Sequence, residues 1–472
     1  MISNISAPTR SWCNDGLTRY GPTGATSVEP LYRRVLAGSE SLTFGLVGER
    51  LGHSHSPRIH ELLGSAPYER VEVPRDEVGE FFAARRYRGL NVTIPYKCDA
   101  ARAADVHSEA VERLDNANTL VVREDGTLFA DNTDYHGFSR QLDLIHANVA
   151  GQACLVLGDG GAAATVRAVL ADRGASLVVS ASRKGELTFA ALAGDDTAAS
   201  PSQIAQADAL RAEVVLIVNA TPVGMYPHAD DDMLVDLDRF PALRYVCDLV
   251  YNPLRTRLIQ EGRARGLACA GGLSMLVAQA KRSSDLFLGV DRPDDIEEGV
   301  LAQMRAELGV VSLIGMPGSG KTRTGMLLAE MLGFEFVDTD EMVQVEAGMP
   351  IPQIFEELGE EGFRAIETRC VAQATSCQGR VVATGGGVVT RPENRFFLEQ
   401  NGPVVLLTRG LVDDPSDNLA VEGRPLSQAK GLERLRVERA DLYHAWADIE
   451  VAPSGGSPLG TARRICRLVK RI

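Results

Sequence analysis

Twice along this chain a short apolar, β-branched run ends on glycines and gives way at once to a helix-like stretch. Ala153-Cys-Leu-Val-Leu157 leads into Gly158-Asp-Gly-Gly-Ala-Ala163, and Val310-Val-Ser-Leu-Ile314 leads into Gly315-Met-Pro-Gly-Ser-Gly-Lys-Thr322. A strand that feeds a helix through a glycine turn belongs to a parallel crossover unit, which packs the helix back onto its own sheet. Two such units far apart in sequence predict two α/β blocks.

The intervening pattern agrees. Strand candidates at 42–47, 70–73, 90–94, 153–157, 176–180, 214–218, 245–249, 310–314, 380–383 and 404–407 alternate with helix candidates such as 76–86, 162–173, 256–266 and 322–331. Alternation of this kind implies parallel sheets. The segment 291–308 (DRPDDIEEGVLAQMRAEL) is charged and lacks β character, so it reads as an amphipathic helix between the blocks. Residues 1–40 are rich in Ser, Thr, Gly and Pro without sustained period and read as a mobile extension.

Composition narrows the partners. A formal net charge of -14 over 472 residues cannot neutralise many phosphates, which argues against nucleic acid. No apolar run approaches the ~20 residues of a membrane helix, and the N-terminus lacks a basic segment followed by an apolar core. The eight cysteines form no C-x-x-C pair and no zinc spacing. A cytoplasmic protein acting on small molecules is expected. Of the 49 basic residues only six are lysines, Lys97, Lys184, Lys281, Lys321, Lys430 and Lys470, leaving 43 arginines. Lysine alone can release a proton near neutral pH or present a compact point charge, so the rare lysines are candidates for chemistry.

The first glycine turn is a G-x-G-x-x-A match in the strand–turn–helix context that gives it meaning. Gly158 permits the tight turn, Gly160 the approach of a pyrophosphate, and the helix N-terminus supplies N–H donors. At the end of the next strand, where an NAD enzyme places an acid on the ribose, stand Ser182, Arg183 and Lys184. Those cations suit the 2′-phosphate of NADP; the plainer reading is a solvated basic turn.

From about residue 41 to 289 the chain resembles shikimate dehydrogenase. The resemblance is carried by HSHSPRIH (53–60), NVTIPYK (91–97), NANTL (116–120), NTDYHG (132–137), NATPVGM (219–225), DLVYNP (248–253) and GGLSMLVAQA (271–280). It implies that Ser54, Ser56, Thr93, Asn118 and Gln279 hydrogen-bond a cyclohexene acid and that Lys97 and Asp134 form the catalytic pair. Tyr251 and Met275 then border substrate and nicotinamide, and Gly161, Ala162, Asn219 and Gly272 join the cofactor site. Asp159 in the glycine loop, and Ser182 where Asn is common, depart from the family pattern. The chemistry stands on its own: hydride transfer to a ketone leaves a developing alkoxide, and a lysine beside a carboxylate can stabilise it and supply its proton.

The second glycine turn is a full G-x-x-x-x-G-K-[ST] match. Backbone N–H groups at Gly315, Gly318, Ser319 and Gly320 would cradle phosphates, Lys321 would reach the β- and γ-phosphates, and Thr322 would ligate Mg²⁺. Downstream stand Asp338-Thr-Asp340, GEEGFRAIE (359–367), GGG (385–387), Arg424-Pro-Leu426 and Arg439-x-x-x-Tyr443. In this order, from about 310 onward, they resemble shikimate kinase. The resemblance assigns Asp340, Arg364, Gly386, Gly387 and Arg439 to shikimate, Asp338 to the metal, and Arg424 to a mobile lid over the transferring phosphoryl group. The plain alternative for Arg364 is a helix-face ion pair with Glu360 or Glu367. The lid stretch TRGLVDDPSDNLAVEG carries Asp413, Asp414 and Asp417 and lacks the second arginine common in relatives.

These readings imply an α/β chain with an extension (1–40), a substrate-binding domain (41–145), a Rossmann NADP domain (146–270), helices returning to the substrate domain (271–290), a linker helix (291–308) and a P-loop kinase domain (309–472). The implied function is reduction of 3-dehydroshikimate with NADPH, followed by phosphorylation of shikimate with ATP and Mg²⁺. The alternative is a quinate/shikimate dehydrogenase with a weak or regulatory kinase domain.

Overall fold

The first sheet is built from β1 (Leu42–Gly48), β2 (Tyr68–Glu72), β3 (Tyr87–Val92), β4 (Val106–His107), β5 (Thr119–Val122) and β6 (Leu128–Asp131), in the order β2-β1-β3-β5-β6-β4. The computed structural model describes residues 29–470 apart from 53, 196, 409–431 and 453–456. β1 pairs parallel with β2 and β3, but β5 and β6 form an antiparallel hairpin beside β3. The sheet is therefore mixed, which corrects the all-parallel expectation. The cause is Asp125-Gly126: Gly126 takes φ +81° and Asp125 Oδ1 accepts the Thr127 N–H at 2.9 Å. An Asp-Gly turn between apolar runs is a hairpin signal.

The second sheet is all parallel, with β7 (Ala153–Leu157), β8 (Leu177–Ser182), β9 (Leu187–Thr188), β10 (Val214–Asn219), β11 (Tyr245–Asp248) and β12 (Ala268–Ala270) in the order β12-β11-β10-β7-β8-β9. Buried residues pack on both its faces, as continuous apolar strands such as VVLIVN require. The third sheet, also parallel, holds β13 (Val310–Ile314), β14 (Glu335–Asp338), β15 (Arg380–Ala383), β16 (Val404–Leu407) and β17 (Ile449–Val451) in the order β14-β15-β13-β16-β17. In both parallel sheets the glycine turn leaves a central strand, β7 or β13, at its carboxyl end, where open α/β sheets bind ligands.

The helix Gly272–Leu288 leaves the second sheet and returns to the first. Its Phe287 ring stacks on Phe44 at 5.0 Å, and a Cβ on Gly89 would lie 2.2 Å from that ring. Glycine in β3 thus lets the helix lie close. The helix Asp295–Leu308 fills the place of the expected linker and is docked: Val300, Leu301 and Met304 pack with Ile59, Leu276 and Val277. Glu307 also accepts two hydrogen bonds from Arg58, at 2.9 and 2.6 Å.

Part of the segment expected as an extension is ordered. The helix Leu31–Ala37 buries Tyr32 and Val35, and Tyr32 donates to Glu77 at 3.0 Å. Leu31/Val35 and Tyr32/Leu36 repeat at i, i+4, a pattern too short to stand out beside the polar residues before it. Among the described residues no helix is long and apolar enough to cross a membrane.

Candidate active sites

Lys97 opens the helix Lys97–Ala103 after β3, and Asp134 lies in the first turn of the helix Thr133–Leu144. The fold brings them together: Lys97 Nζ lies 2.5 Å from Asp134 Oδ2. Asn118 Nδ2 donates to Asp134 Oδ1 at 3.0 Å and reaches Gln279 Oε1 at 3.4 Å. Asn118 is itself fixed, since its Oδ1 accepts the Thr133 N–H at 2.7 Å. Behind it, Asn91 donates to Ser283 at 2.8 Å, and Ser283 shares a 2.9 Å hydrogen bond with Thr119. Sequence reasoning did not single out Asn91 or Ser283; Ser283 sits four residues after Gln279, on the same helix face.

The other expected substrate residues each have local partners. Ser54 Oγ accepts the Ser56 N–H at 3.3 Å just before the helix Ser56–Leu62. Thr93 follows β3, its methyl 2.8 Å from where a Cβ on Gly48 would stand. The Tyr251 ring meets His55 edge-on at 5.8 Å. Met275 is buried, and its carbonyl lies 2.8 Å from a Cβ placed on Gly137. The approaches of Thr93 and Met275 are close enough to favour glycine on the opposing element.

The nucleotide turn is shaped for a phosphate. Gly158 has φ +119°, and a Cβ there would lie 3.0 Å from Ala220 O, while Cβ atoms on Gly160 and Gly161 would meet nothing within 4 Å. That leaves open space in front of the helix Gly161–Asp172, whose N-cap Gly160 provides no side-chain hydrogen bond to the first turn. Ala162 lies in that turn. Asp159 is exposed, as are Arg183 and Lys184 at the end of β8, where Ser182 Oγ is buried without a partner. Uncapped N–H donors and an orphan hydroxyl beside two cations fit a phosphorylated dinucleotide. The Asn219 side chain bonds Val223 O, Asp248 Oδ1 and Thr221, and so helps to build the turn. The Gly272 N–H donates to Val250 O at 3.0 Å, and a Cβ there would meet Leu249 O at 2.2 Å.

Asp248 escaped the sequence reading. It is wholly buried and accepts from Asn219 Nδ2 at 2.9 Å, Val250 N–H at 2.9 Å and Thr256 Oγ1 at 2.6 Å. Burial pushes its carboxyl up to about 7, against the pull of those hydrogen bonds.

In the third sheet the phosphate loop takes left-handed backbone at Gly315, Gly318 and Gly320. A Cβ on Gly315 would lie 2.7 Å from Leu407 O. Ser319 Oγ is buried without a partner. Lys321 Nζ folds back over the loop, donating to Gly315 O at 2.8 Å and Met316 O at 3.0 Å. Thr322 Oγ1 and Asp338 Oδ2 are 2.9 Å apart. Two adjacent oxygens suit Mg²⁺, which keeps most of its shell as water and phosphate.

The acceptor residues converge on GGG. A Cβ on Gly385 would meet both Asp340 Oδ1, at 2.7 Å, and Glu367 Oε1, at 2.6 Å. Arg364 is buried and donates to Glu367 Oε2 at 2.5 Å, with Glu360 at 3.6 Å, so the helix-face pairing exists. Its guanidinium also lies over Gly387, where a Cβ would be 2.1 Å from NH2. Gly386 abuts Pro317 of the phosphate loop, and its carbonyl accepts from Arg439 at 2.7 Å and Tyr443 at 2.5 Å. Arg424 and the acidic lid lie outside the described residues.

A Rossmann-type dehydrogenase and a P-loop phosphotransferase thus share one chain. The shikimate dehydrogenase substrate binding domain family matches residues 46–120, and the shikimate kinase family matches residues 317–470. Shikimate dehydrogenase (NADP(+)) of Clostridium perfringens is 32% identical over 270 residues, covering 56% of this chain and 98% of that relative. The corresponding enzyme of Methylobacterium radiotolerans is 38% identical over 269 residues, 52% of this chain and 90% of its own. A solved shikimate kinase from Acinetobacter baumannii, in complex with shikimate, is 35% identical and covers 36% of this chain and 96% of that one, with a TM-score of 0.32. The chain belongs to the shikimate dehydrogenase family and carries a shikimate kinase domain behind it.

Proposed function

We propose that this chain performs two consecutive steps, reduction of 3-dehydroshikimate to shikimate with NADPH and phosphorylation of shikimate by ATP. The observation that carries the reading is the pairing of Lys97 with Asp134 in the same chain as an Arg364–Gly387 clamp beside a phosphate loop. When bound, the nicotinamide supplies the hydride, ATP the phosphoryl group, and Mg²⁺ charge neutralisation between the phosphates.

The protein's own groups do the rest. Lys97 Nζ gives a proton to the oxygen that the carbonyl becomes, while Asp134 holds the ammonium in place. Asn118 and Gln279 orient the substrate hydroxyls from one side, Ser54, Ser56 and Thr93 from the other. Arg183 and Lys184 receive the 2′-phosphate. In the kinase site Arg364 and Arg439 hold the shikimate carboxylate, where planar guanidinium suits a bidentate contact. Asp340 accepts the proton of the attacking hydroxyl, and Lys321 with Thr322 and Asp338 orders the phosphates and metal.

The alternative of a quinate- and NAD-using dehydrogenase is disfavoured by Arg183 and Lys184 at the end of β8, where an NAD site calls for an acid. The test is mass detection of shikimate 3-phosphate formed from 3-dehydroshikimate, NADPH and ATP. Lys97→Ala should stop the sequence before shikimate, and Lys321→Ala should let shikimate accumulate. Product formation unaffected by either substitution overturns the reading.

A further inference from the structure

The turn between the helix Glu393–Glu399 and β16 reaches across to the dehydrogenase. Asn401 Oδ1 accepts the Leu254 N–H at 2.9 Å, and Gln400 O accepts the Arg255 N–H at 2.8 Å. Asn401 Nδ2 lies 3.5 Å from the Tyr226 hydroxyl. Gln260 bridges the junction, donating to Arg255 O at 3.2 Å and Phe396 O at 3.1 Å. On its own side the turn is rigid: Asn401 Nδ2 donates to Thr375 O at 2.9 Å, and Gln400 Nε2 to Thr375 Oγ1 at 2.9 Å. Both residues are buried.

The segment they hold, 249–256, contains no helix or strand, so its backbone groups must find partners elsewhere. The N–H groups of Leu254 and Arg255 find theirs in the kinase domain. The remaining contacts of the segment run into the dehydrogenase site. Leu249 N–H donates to Asn219 O at 2.9 Å, Val250 O accepts from Gly272, and Asn252 O accepts the Tyr226 N–H at 3.1 Å. Leu254 O lies 2.9 Å from where a Cβ on Gly271 would stand. One loop therefore carries Tyr251, braces the glycine entry to the helix bearing Met275 and Gln279, and is fastened at its far end to another domain.

We infer that Asn401, a residue of the kinase domain, is a positioning residue for the dehydrogenase reaction, fixing through Leu254 the loop that presents Tyr251. The inference rests on the functional reading above, which gives Tyr251, Met275 and Gln279 their places. A side chain hydrogen-bonded to both domains couples the two without touching substrate. Small displacements of a substrate-positioning loop lower rate as well as affinity.

The test uses the full chain, with both activities assayed on each preparation. Asn401→Ala is expected to raise the KM for shikimate in NADP-linked oxidation and lower kcat/KM about 3- to 10-fold, the range set by one lost hydrogen bond. The kinase KM values should stay within about 2-fold. Tyr226→Phe removes the hydroxyl at the same junction without altering the kinase domain, and it decides the matter should Asn401→Ala not fold. Unchanged dehydrogenase constants in the soluble variants, or an equal loss in both activities, overturns the inference. A wild-type chain without NADP-linked oxidation of shikimate fails the functional reading itself, and this inference with it.

Discussion

Thr322 Oγ1 donates a 2.9 Å hydrogen bond to Asp338 Oδ2, tying the end of the phosphate loop to the end of β14. The other oxygen of Asp338 accepts the Asp340 N–H at 3.0 Å and caps the helix Thr339–Ala347. One carboxylate thus serves the proposed metal position and aims the proposed acceptor of the hydroxyl proton. Asp338→Asn keeps the cap but weakens the anionic ligand, so the Mg²⁺ concentration giving half-maximal kinase activity should rise about 10-fold or more. Magnesium titration of kinase turnover, with the dehydrogenase rate as internal control, measures it. An unchanged Mg²⁺ midpoint removes Asp338 from the metal site.

Lys97 and Asp134 make the corresponding pair in the dehydrogenase. Deleting a positioned proton donor costs typically ~10²–10⁴-fold in rate. Lys97→Ala should lose that much kcat while NADPH binding, followed by nucleotide fluorescence, stays within about 3-fold. Lys97→Arg keeps a cation but cannot release its proton near neutral pH, so it should remain nearly as impaired. A near-native arginine variant would leave Lys97 a purely electrostatic role.

Gly387 faces the Arg364 guanidinium so closely that a Cβ would stand 2.1 Å from NH2. Arg364 cannot simply swing away, because Glu367 holds it at 2.5 Å in a buried position. Gly387→Ala should therefore displace the carboxylate clamp and raise the shikimate KM of the kinase about 10- to 100-fold, with the ATP KM changed less than about 3-fold. Initial rates varied in each substrate separate the two. Equal rises in both constants would indicate general damage to the fold.

The glycine turns, the two parallel sheets and the lysine–aspartate pair were legible because each depends on a local pattern or on family motifs. The hairpin at Asp125-Gly126 was also written locally but was overridden by the strand–helix rhythm around it. Other features are not local. Asn219 stands in a recognisable motif, but the bond of its amide to Asp248, on the neighbouring strand, shows only in the fold. Asn401 stands in no motif, and its meaning comes only from meeting Leu254, 147 residues earlier. Pairings across such separations depend on how whole domains pack, which periodicity does not encode.

Asp248 gives the dehydrogenase a stability that depends on pH. Its ordinary value is 3.8, and burial raises it to about 7 in the folded protein. Between those values the folded chain keeps a proton that the unfolded chain releases, so this contribution is complete below about pH 4 and fades as pH rises through about 7. His60 works the other way: burial lowers it from 6.5 to about 3, so its contribution is lost as pH falls below about 6.5. The two slopes oppose each other in the wild type, and the difference between variants isolates Asp248. Asp248→Asn imitates the protonated acid, since an amide can still accept from Asn219 and Val250 while donating to Thr256. The melting temperature of the variant relative to wild type should therefore rise steadily from pH 4 to pH 7, a change on the order of a few kcal/mol in stability. A difference that stays flat across that interval would mean Asp248 is ionised in the fold and held by its three donors alone.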